Sequence, residues 1–218
     1  AGIAKGDRVM IWAPNSWKWF VTALGIVSVG AVLVPVSTRF KGAEVGDLIE
    51  RSGATAMFAC GTFLGRYYPS QLDAAARRRL ARLVVFDGAR DGETTFDAFL
   101  DAGNAVSDGK QRAREEAVGP DDLCDLLFTS GTTGYPKGVM YCHLQCLRVI
   151  DAWATRVGIR RGDRVLVIPP FFHAFGYRSG AIVSMMRGAV LIPHLTYDAD
   201  EILHRVEQEK VSVIPGPP

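Results

Sequence analysis

Short apolar runs alternate along the chain with longer segments whose apolar residues recur at helical spacing. The runs lie at 8–12, 31–36, 54–59, 82–86, 123–128, 164–168, 189–192 and 211–214. The helical segments lie at 15–30, 44–51, 140–157, 179–186 and 199–209. Strands rich in Val, Ile and Leu that are separated by helices are typical of parallel sheets. The pattern predicts an α/β fold, with mostly parallel sheets covered by helices on both faces.

Residues that favour helix ends support this assignment. Asn15 or Ser16 can cap the first helix, and Gly30 can end it. Gly53 is placed to end the helix at 44–51.

A polar stretch at 101–120 contains almost no core-forming residue, which predicts an exposed connection. We therefore expect a first α/β subdomain at 1–100, incomplete at its N-terminus, and a second at 121–218, truncated at its C-terminus. The chain starts just before a strand and stops at Gly216-Pro217-Pro218, so we expect a piece of a longer protein.

Composition excludes little but favours a globular protein of the cytoplasm. With 25 basic and 23 acidic residues, the chain does not favour a nucleic acid or a membrane surface as partner. The apolar run at 20–36 contains Gly25, Gly30 and Pro35, and a buried helix followed by a strand explains it better than a transmembrane segment. The four cysteines are not spaced like a disulfide framework or a metal site, so we expect a reducing compartment and no bound metal at the cysteines.

The most informative stretch is the Gly- and Thr-rich loop that follows the predicted strand at 123–128. Between Leu126 and Val139 it holds three glycines, four Ser or Thr hydroxyls and one lysine, and we expect a helix after it. Glycines let backbone N–H groups turn toward an anion, the hydroxyls add donors, and Lys137 adds a positive charge. The spacing differs from a Walker A loop, because Pro136 precedes the lysine and Gly138 follows it.

The string Thr129-Ser-Gly-Thr-Thr-Gly-Tyr-Pro-Lys-Gly138 resembles, position by position, the phosphate-loop signature of the adenylate-forming superfamily, which includes acyl-CoA synthetases. The resemblance covers the whole chain, since the 6–9, 15–16, 30–35, 139–143 and 215–218 segments are also similar to that family. It implies that the loop binds the phosphates of ATP. The implied ligands are Thr129, Ser130, Gly131, Thr132, Thr133, Gly134 and Lys137.

A second candidate site follows the predicted strand at 164–168, where α/β sheets place their ligands. The segment Pro169-Pro-Phe-Phe-His-Ala-Phe-Gly-Tyr177 is similar to the acyl-pocket segment of acyl-CoA synthetases. By this resemblance His173 acts at the carboxylate and the α-phosphate, while Phe175 and Gly176 contact the acyl group. The segment lacks the Asp that amino-acid-activating relatives use, so an amino acid is not the expected substrate. Its residues 171–177 resemble those of ligases that act on fatty acids or on steroid-derived acids, and this resemblance implies one of these two acids.

The resemblance implies a two-step reaction, in which a carboxylate and Mg²⁺-bound ATP form an acyl-adenylate and coenzyme A then displaces AMP. His173 and Lys137 are the implied catalytic residues. The family's adenine-binding, ribose-binding and catalytic-lysine elements are expected beyond Pro218, so we expect the 218-residue chain to be inactive alone. The alternatives are a non-catalytic nucleotide-binding module and a structural or interaction domain.

Overall fold

A computed structural model of the chain describes residues 2–129 and 136–216. The strands are β1 (Arg8–Trp12), β2 (Val32–Pro35), β3 (Ala56–Ala59), β4 (Thr62–Phe63), β5 (Arg66–Tyr67), β6 (Arg82–Val85), β7 (Thr94–Thr95), β8 (Leu123–Thr129), β9 (Lys137–Cys142), β10 (Arg164–Val167) and β11 (Val190–Pro193). The α-helices are α1 (Trp17–Ser28), α2 (Gly42–Ser52), α3 (Ala74–Arg79), α4 (Phe96–Gly103), α5 (Asp108–Glu116), α6 (His143–Val157), α7 (Val183–Arg187) and α8 (Ala199–Gln208). A 3-10 turn spans Pro69–Gln71, and a π-helix spans Phe175–Ile182.

The chain divides into two compact units, Ala1–Ala13 with Val21–His143 and Pro14–Phe20 with Leu144–Pro218. Within the described residues, the first unit contains a seven-stranded sheet in the order β7-β6-β3-β1-β2-β8-β9. Neighbouring strands run parallel, except that β8 and β9 are antiparallel. The mainly parallel sheet confirms the predicted α/β class.

Strand β1 lies at the centre of this sheet, paired with β2 on one side and β3 on the other. Met10 is in register with Val34 and with Met57. The residues at 9–12 are fully buried, which explains why this strand is a continuous apolar run rather than an alternating one.

Helix α2 shows how the local sequence sets an element. Its buried residues include Val45, Leu48 and Ile49, which recur at helical spacing on one face. The Glu44 carboxylate accepts a hydrogen bond from the Lys41 N–H (2.8 Å) at the start of the helix. Gly53 ends the helix in the left-handed conformation, with φ of 64°, as the sequence predicted.

The second unit contains the parallel pair β10–β11, with Leu166 opposite Ile192. Ile202 of α8 packs on these two residues to form a small core. The predicted strand at 211–214 contributes a single parallel bridge, Val213 to Val165. In the described part of the chain, no helix combines the length and apolarity that crossing a bilayer requires.

Three sequence predictions differ from the structure. The helix predicted at 140–157 begins at His143, because Lys137–Cys142 instead forms β9 and pairs with β8. The polar stretch at 101–120 holds the last residues of α4 and all of α5, an exposed helix with no buried residue. The predicted boundary near 120 lies inside the first unit, because β8 and β9 extend its sheet.

Replacing Gly53 with Ala is expected to lower the free energy of unfolding by about 1–2 kcal/mol, because a side chain is strained at positive φ. A Cβ atom there would also lie 2.5 Å from Nη2 of Arg8. Urea denaturation measures the change. The control is Gly109→Ala in the exposed helix α5, where the substitution should leave stability unchanged or raise it. Equal effects of the two substitutions would contradict the strain argument.

Candidate active site

The two ends of the predicted phosphate loop lie opposite each other at the mouth of the β8–β9 hairpin. Thr129 ends β8 and is in register with Lys137, which begins β9. The Thr129 hydroxyl donates to the Lys137 carbonyl oxygen at 3.5 Å. Both residues are exposed. The other predicted phosphate ligands, Ser130, Gly131, Thr132, Thr133 and Gly134, lie outside the described residues.

Gly138 allows the hairpin to close tightly beside the loop. It lies opposite Phe128 in the register of the two strands. A Cβ atom at this position would lie 2.9 Å from Cδ1 of Leu126 and 3.4 Å from the Phe128 ring. The glycine therefore leaves room for two apolar side chains of β8, in addition to any effect on the loop itself.

Arg51, in the last turn of α2, contacts both flanks of the loop. Its Nη2 donates to the Pro136 carbonyl oxygen at 2.5 Å, and its guanidinium lies 5.3 Å from the centre of the Phe128 ring. Asp47 accepts from Nη1 of the same guanidinium at 3.2 Å. Arg51 thus links α2 to the residue before Lys137. Sequence reasoning missed this contact, since a basic residue in the last turn of a helix is common for other reasons.

The predicted acyl segment follows β10 and turns directly into the π-helix. The His173 N–H donates to Pro170 O (3.0 Å), and the Tyr177 N–H donates to His173 O (3.0 Å). Gly176 is buried within this turn, and a Cβ atom there would lie 2.3 Å from the carbonyl oxygens of Pro169 and Pro170. Because backbone atoms cannot yield easily, the turn requires glycine at this position.

His173 is exposed, and its Nδ1 atom accepts a hydrogen bond from the Phe175 N–H at 3.3 Å. In the neutral imidazole one nitrogen accepts and the other donates, so this contact places the proton on Nε2. Phe175 is partly buried and packs edge-on against Trp153, with ring centres 6.2 Å apart. The segment therefore presents one polar donor and one apolar ring two residues apart.

Asn15 holds the start of this segment with three side-chain hydrogen bonds. Its amide nitrogen donates to the carbonyl oxygens of Val167 (3.3 Å) and Pro169 (3.1 Å). Its amide oxygen accepts from the Phe171 N–H at 2.6 Å. The side chain is buried, so these bonds satisfy polar groups that water does not reach.

The sequence had offered Asn15 or Ser16 as the cap of α1, and the structure separates their roles. The Ser16 hydroxyl accepts from the Trp19 N–H at 3.1 Å and caps the helix, whereas Asn15 binds the acyl segment. A contact between residues more than 150 positions apart leaves no local signal in the sequence.

Aromatic packing anchors the same segment. Phe171 is fully buried, with its ring centre 5.3 Å from that of Trp19 and 6.4 Å from that of Phe20. Tyr177 packs edge-on against Trp19 at 5.4 Å. The two ends of the segment are therefore held by side chains of α1, while His173 between them stays exposed.

His143, the first residue of α6, has a pKa below its usual value. Burial lowers its pKa, and the nearby Asp122 and Asp125 carboxylates oppose that shift. Among the described residues its Nε2 atom has no hydrogen-bond partner. A lowered pKa favours the neutral imidazole at neutral pH.

The structure thus brings Thr129 and Lys137 together in the first unit and His173, Phe175 and Gly176 together in the second. The sequence pattern of the AMP-binding enzyme family matches residues 1–218. The chain belongs to this family of adenylate-forming enzymes.

Its relatives include acyl-CoA ligases. A (methyl-dioxo-octahydroindenyl)propanoyl:CoA ligase of Mycobacterium tuberculosis is 44% identical over 218 residues, which are 100% of this chain and 42% of that protein. Long-chain-fatty-acid–CoA ligase FadD13 of the same organism is 30% identical over 97% of this chain and 39% of its own length. The chain therefore spans about two fifths of these relatives.

Solved structures agree on the fold. The N-terminal domain of FACL13 from Mycobacterium tuberculosis, bound to an inhibitor, superposes with a TM-score of 0.78 at 29% identity, over 98% of this chain and 50% of that domain. ATP-bound MatB from Rhodopseudomonas palustris has a TM-score of 0.79 at 23% identity, over 98% of this chain and 39% of MatB.

Replacing Asn15 with Ala is expected to leave the Phe171 N–H and the Pro169 carbonyl without the partner that Asn15 supplies, and to lower the free energy of unfolding by about 3 kcal/mol. The Val167 carbonyl would keep its hydrogen bond from the His194 N–H. The Phe171 amide should then exchange with deuterium markedly faster. Ser16→Ala is the control, since it removes only a helix cap and should cost about 1 kcal/mol. Unchanged exchange at Phe171 in the Asn15 variant would contradict the assigned role.

Proposed function

We propose that this chain is the N-terminal portion of an AMP-forming carboxylate–CoA ligase and supplies its phosphate-binding and acyl-binding segments. The full-length enzyme would convert a carboxylate and ATP into an acyl-adenylate, and then into a CoA thioester. The observation that carries the proposal is the hairpin in which Thr129 and Lys137 face each other at the two ends of the Gly- and Thr-rich loop.

The loop flanks suit polyphosphate binding. Lys137 is exposed at the mouth of the hairpin, and an ammonium group provides a compact charge for phosphate oxygens. Arg51 contacts both sides of the loop, through a hydrogen bond to the Pro136 carbonyl oxygen and a cation–π contact with the Phe128 ring. A binding loop held at its ends loses less conformational freedom when the ligand binds.

The acyl segment suits a carboxylate that reacts at the α-phosphate. His173 would donate from Nε2, because its Nδ1 already accepts from the Phe175 N–H. The donor would stabilise the negative charge shared by the carboxylate and the phosphate as the adenylate forms. Phe175, which has no polar atom, would contact the acyl body, and Gly176 would keep the turn between them tight.

Mg²⁺ would enter with ATP as part of the substrate, and a hydroxyl oxygen such as that of Thr129 is a ligand that Mg²⁺ accepts. It would neutralise charge on the phosphates. Coenzyme A would be the second substrate. The adenine-binding, ribose-binding and catalytic-lysine elements would lie in the part of the enzyme beyond residue 218.

For the acid, we propose a bulky alicyclic propanoate of the kind named for the relative that is 44% identical. Fatty acids are the second candidate, because FadD13 is 30% identical. The two candidates are distinguished by measuring kcat/KM of the full-length enzyme with a panel of steroid-derived and linear acids. Higher kcat/KM for a linear acid than for the alicyclic propanoate would reverse this preference.

In the full-length enzyme, Lys137→Ala is expected to slow acyl-adenylate formation by roughly one to two orders of magnitude, because a charge-assisted contact to the polyphosphate is lost. ATP–pyrophosphate exchange measures this step, and thioester formation from pre-made adenylate should remain near the native rate. The control is Lys110→Ala, which removes an exposed lysine from α5. Equal losses in both half-reactions would argue against a phosphate ligand.

Nucleotide binding without any exchange in the native enzyme would favour a non-catalytic module.

His173→Ala and Phe175→Ala are expected to have different effects on substrate use. Loss of the imidazole donor should slow adenylation of every acid alike, by roughly tenfold or more. Loss of the ring should instead shift the preference among acids toward bulkier ones, by about 1–3 kcal/mol. The substrate panel and the melting temperature, measured on both variants, test this. Lower stability with an unchanged panel would show that the two residues contribute to folding and not to substrate use.

A further inference from the structure

A cavity of about 280 Å³ lies in the first unit and shares no lining residue with the phosphate-loop flanks. Its floor is formed by Val9 of β1 and Phe58 of β3. Its walls are formed by one side of α1, including Ile26, and by α4, including Phe96 and Phe99. The lining is mostly apolar, as in sites that bind small organic molecules.

Two polar groups interrupt this apolar lining. Thr22 of α1 is only 7% exposed, and its hydroxyl has no hydrogen-bond partner among the described residues. A buried hydroxyl without a partner is unfavourable, so a ligand that accepts its hydrogen bond would remove a cost. Arg114 of α5, an exposed side chain, contributes a positive charge to the lining. Its Nη2 donates to the Ile3 carbonyl at 2.6 Å, which holds the guanidinium beside the cavity.

The cavity also has unused space along α1. Gly25 lines it, and a Cβ atom built there meets no described atom within 4 Å. Glycine inside a helix lowers helix stability relative to residues with side chains. Gly25 is exposed, so the open space beside it lies on the side of the cavity that faces solvent.

We propose that this cavity binds a small amphipathic monocarboxylate. The apolar body would fill the space beside Gly25, between α1 and α4. The carboxylate would pair with the Arg114 guanidinium, and an oxygen atom of the ligand would accept from the Thr22 hydroxyl. All of the lining residues belong to the first unit and none belongs to the acyl segment, so the proposal assigns the carboxylate bound here the role of a ligand and not of the reacting acid.

The test uses the full-length protein with ¹³C-labelled isoleucine methyl groups and octanoate as the probe. The Ile3 and Ile26 methyl signals, which report on the cavity, should shift saturably during the titration. Octanol should bind about tenfold more weakly, because it lacks the charge that pairs with Arg114. Arg114→Gln should remove this difference between the two probes. Failure of the Ile26 signal to shift, or equal binding of octanol and octanoate, would overturn the proposal.

Two further variants test the location of the ligand. Gly25→Leu should fill the cavity and abolish the Ile26 shift, whereas Gly109→Leu, a matched glycine of α5 outside the lining, should leave it unchanged. Thr22→Val, which is nearly isosteric and should fold normally, is expected to weaken octanoate binding about fivefold. A shift that persists in Gly25→Leu, or octanoate affinity that is unaffected by Thr22→Val, would contradict the assigned site.

Discussion

The hydrogen-bonded ladder of the first unit is the constraint on which its functional geometry depends. Strand β8 pairs in parallel with β2 on one side and antiparallel with β9 on the other. Because β2 is itself fixed by the buried strand β1, the position of β8 follows from the core of the sheet. The register of β8 with β9 then sets Thr129 opposite Lys137. The loop between them therefore starts and ends at points that the sheet determines.

Arg8 and Arg51 extend this order from the sheet to α2. The Arg8 side chain donates to the carbonyl oxygens of Ser52 (2.7 Å) and Gly53 (3.0 Å). These two hydrogen bonds connect the end of α2 to the start of β1. One residue before Ser52, Arg51 reaches the flanks of the phosphate loop. Carbonyl groups at a helix C-terminus need donors from outside the helix, and here arginine supplies them. A helix end thereby supports the flanks of the proposed phosphate loop.

In the second unit, the buried side-chain amide of Asn15 supports the acyl segment. The acyl segment leaves β10 as irregular backbone, and irregular backbone that is buried must find hydrogen-bond partners. Asn15 provides two donors and one acceptor to that segment, while Phe171 and Tyr177 pack against Trp19. His173 stays exposed between these anchors. A rigid support with an exposed polar group is compatible with the role proposed for His173, which is to position a reacting carboxylate.

The sequence by itself determined the α/β class, most strands, the end of α2 at Gly53 and the candidate residues of the two binding segments. These features depend on local periodicity, on glycine conformation and on a motif read within a few residues. Only the tertiary structure decided that Lys137–Cys142 is a strand, because its hydrogen bonds go to β8. The amphipathic helix α6 follows directly at His143, so the sequence pattern does not mark where the strand ends and the helix begins. The tertiary structure also decided that Asn15 binds residues 167–171 and that Arg51 contacts Pro136, at sequence separations of 152–156 and 85 residues. Such contacts follow from how the chain folds back on itself, and no local pattern of residues encodes them.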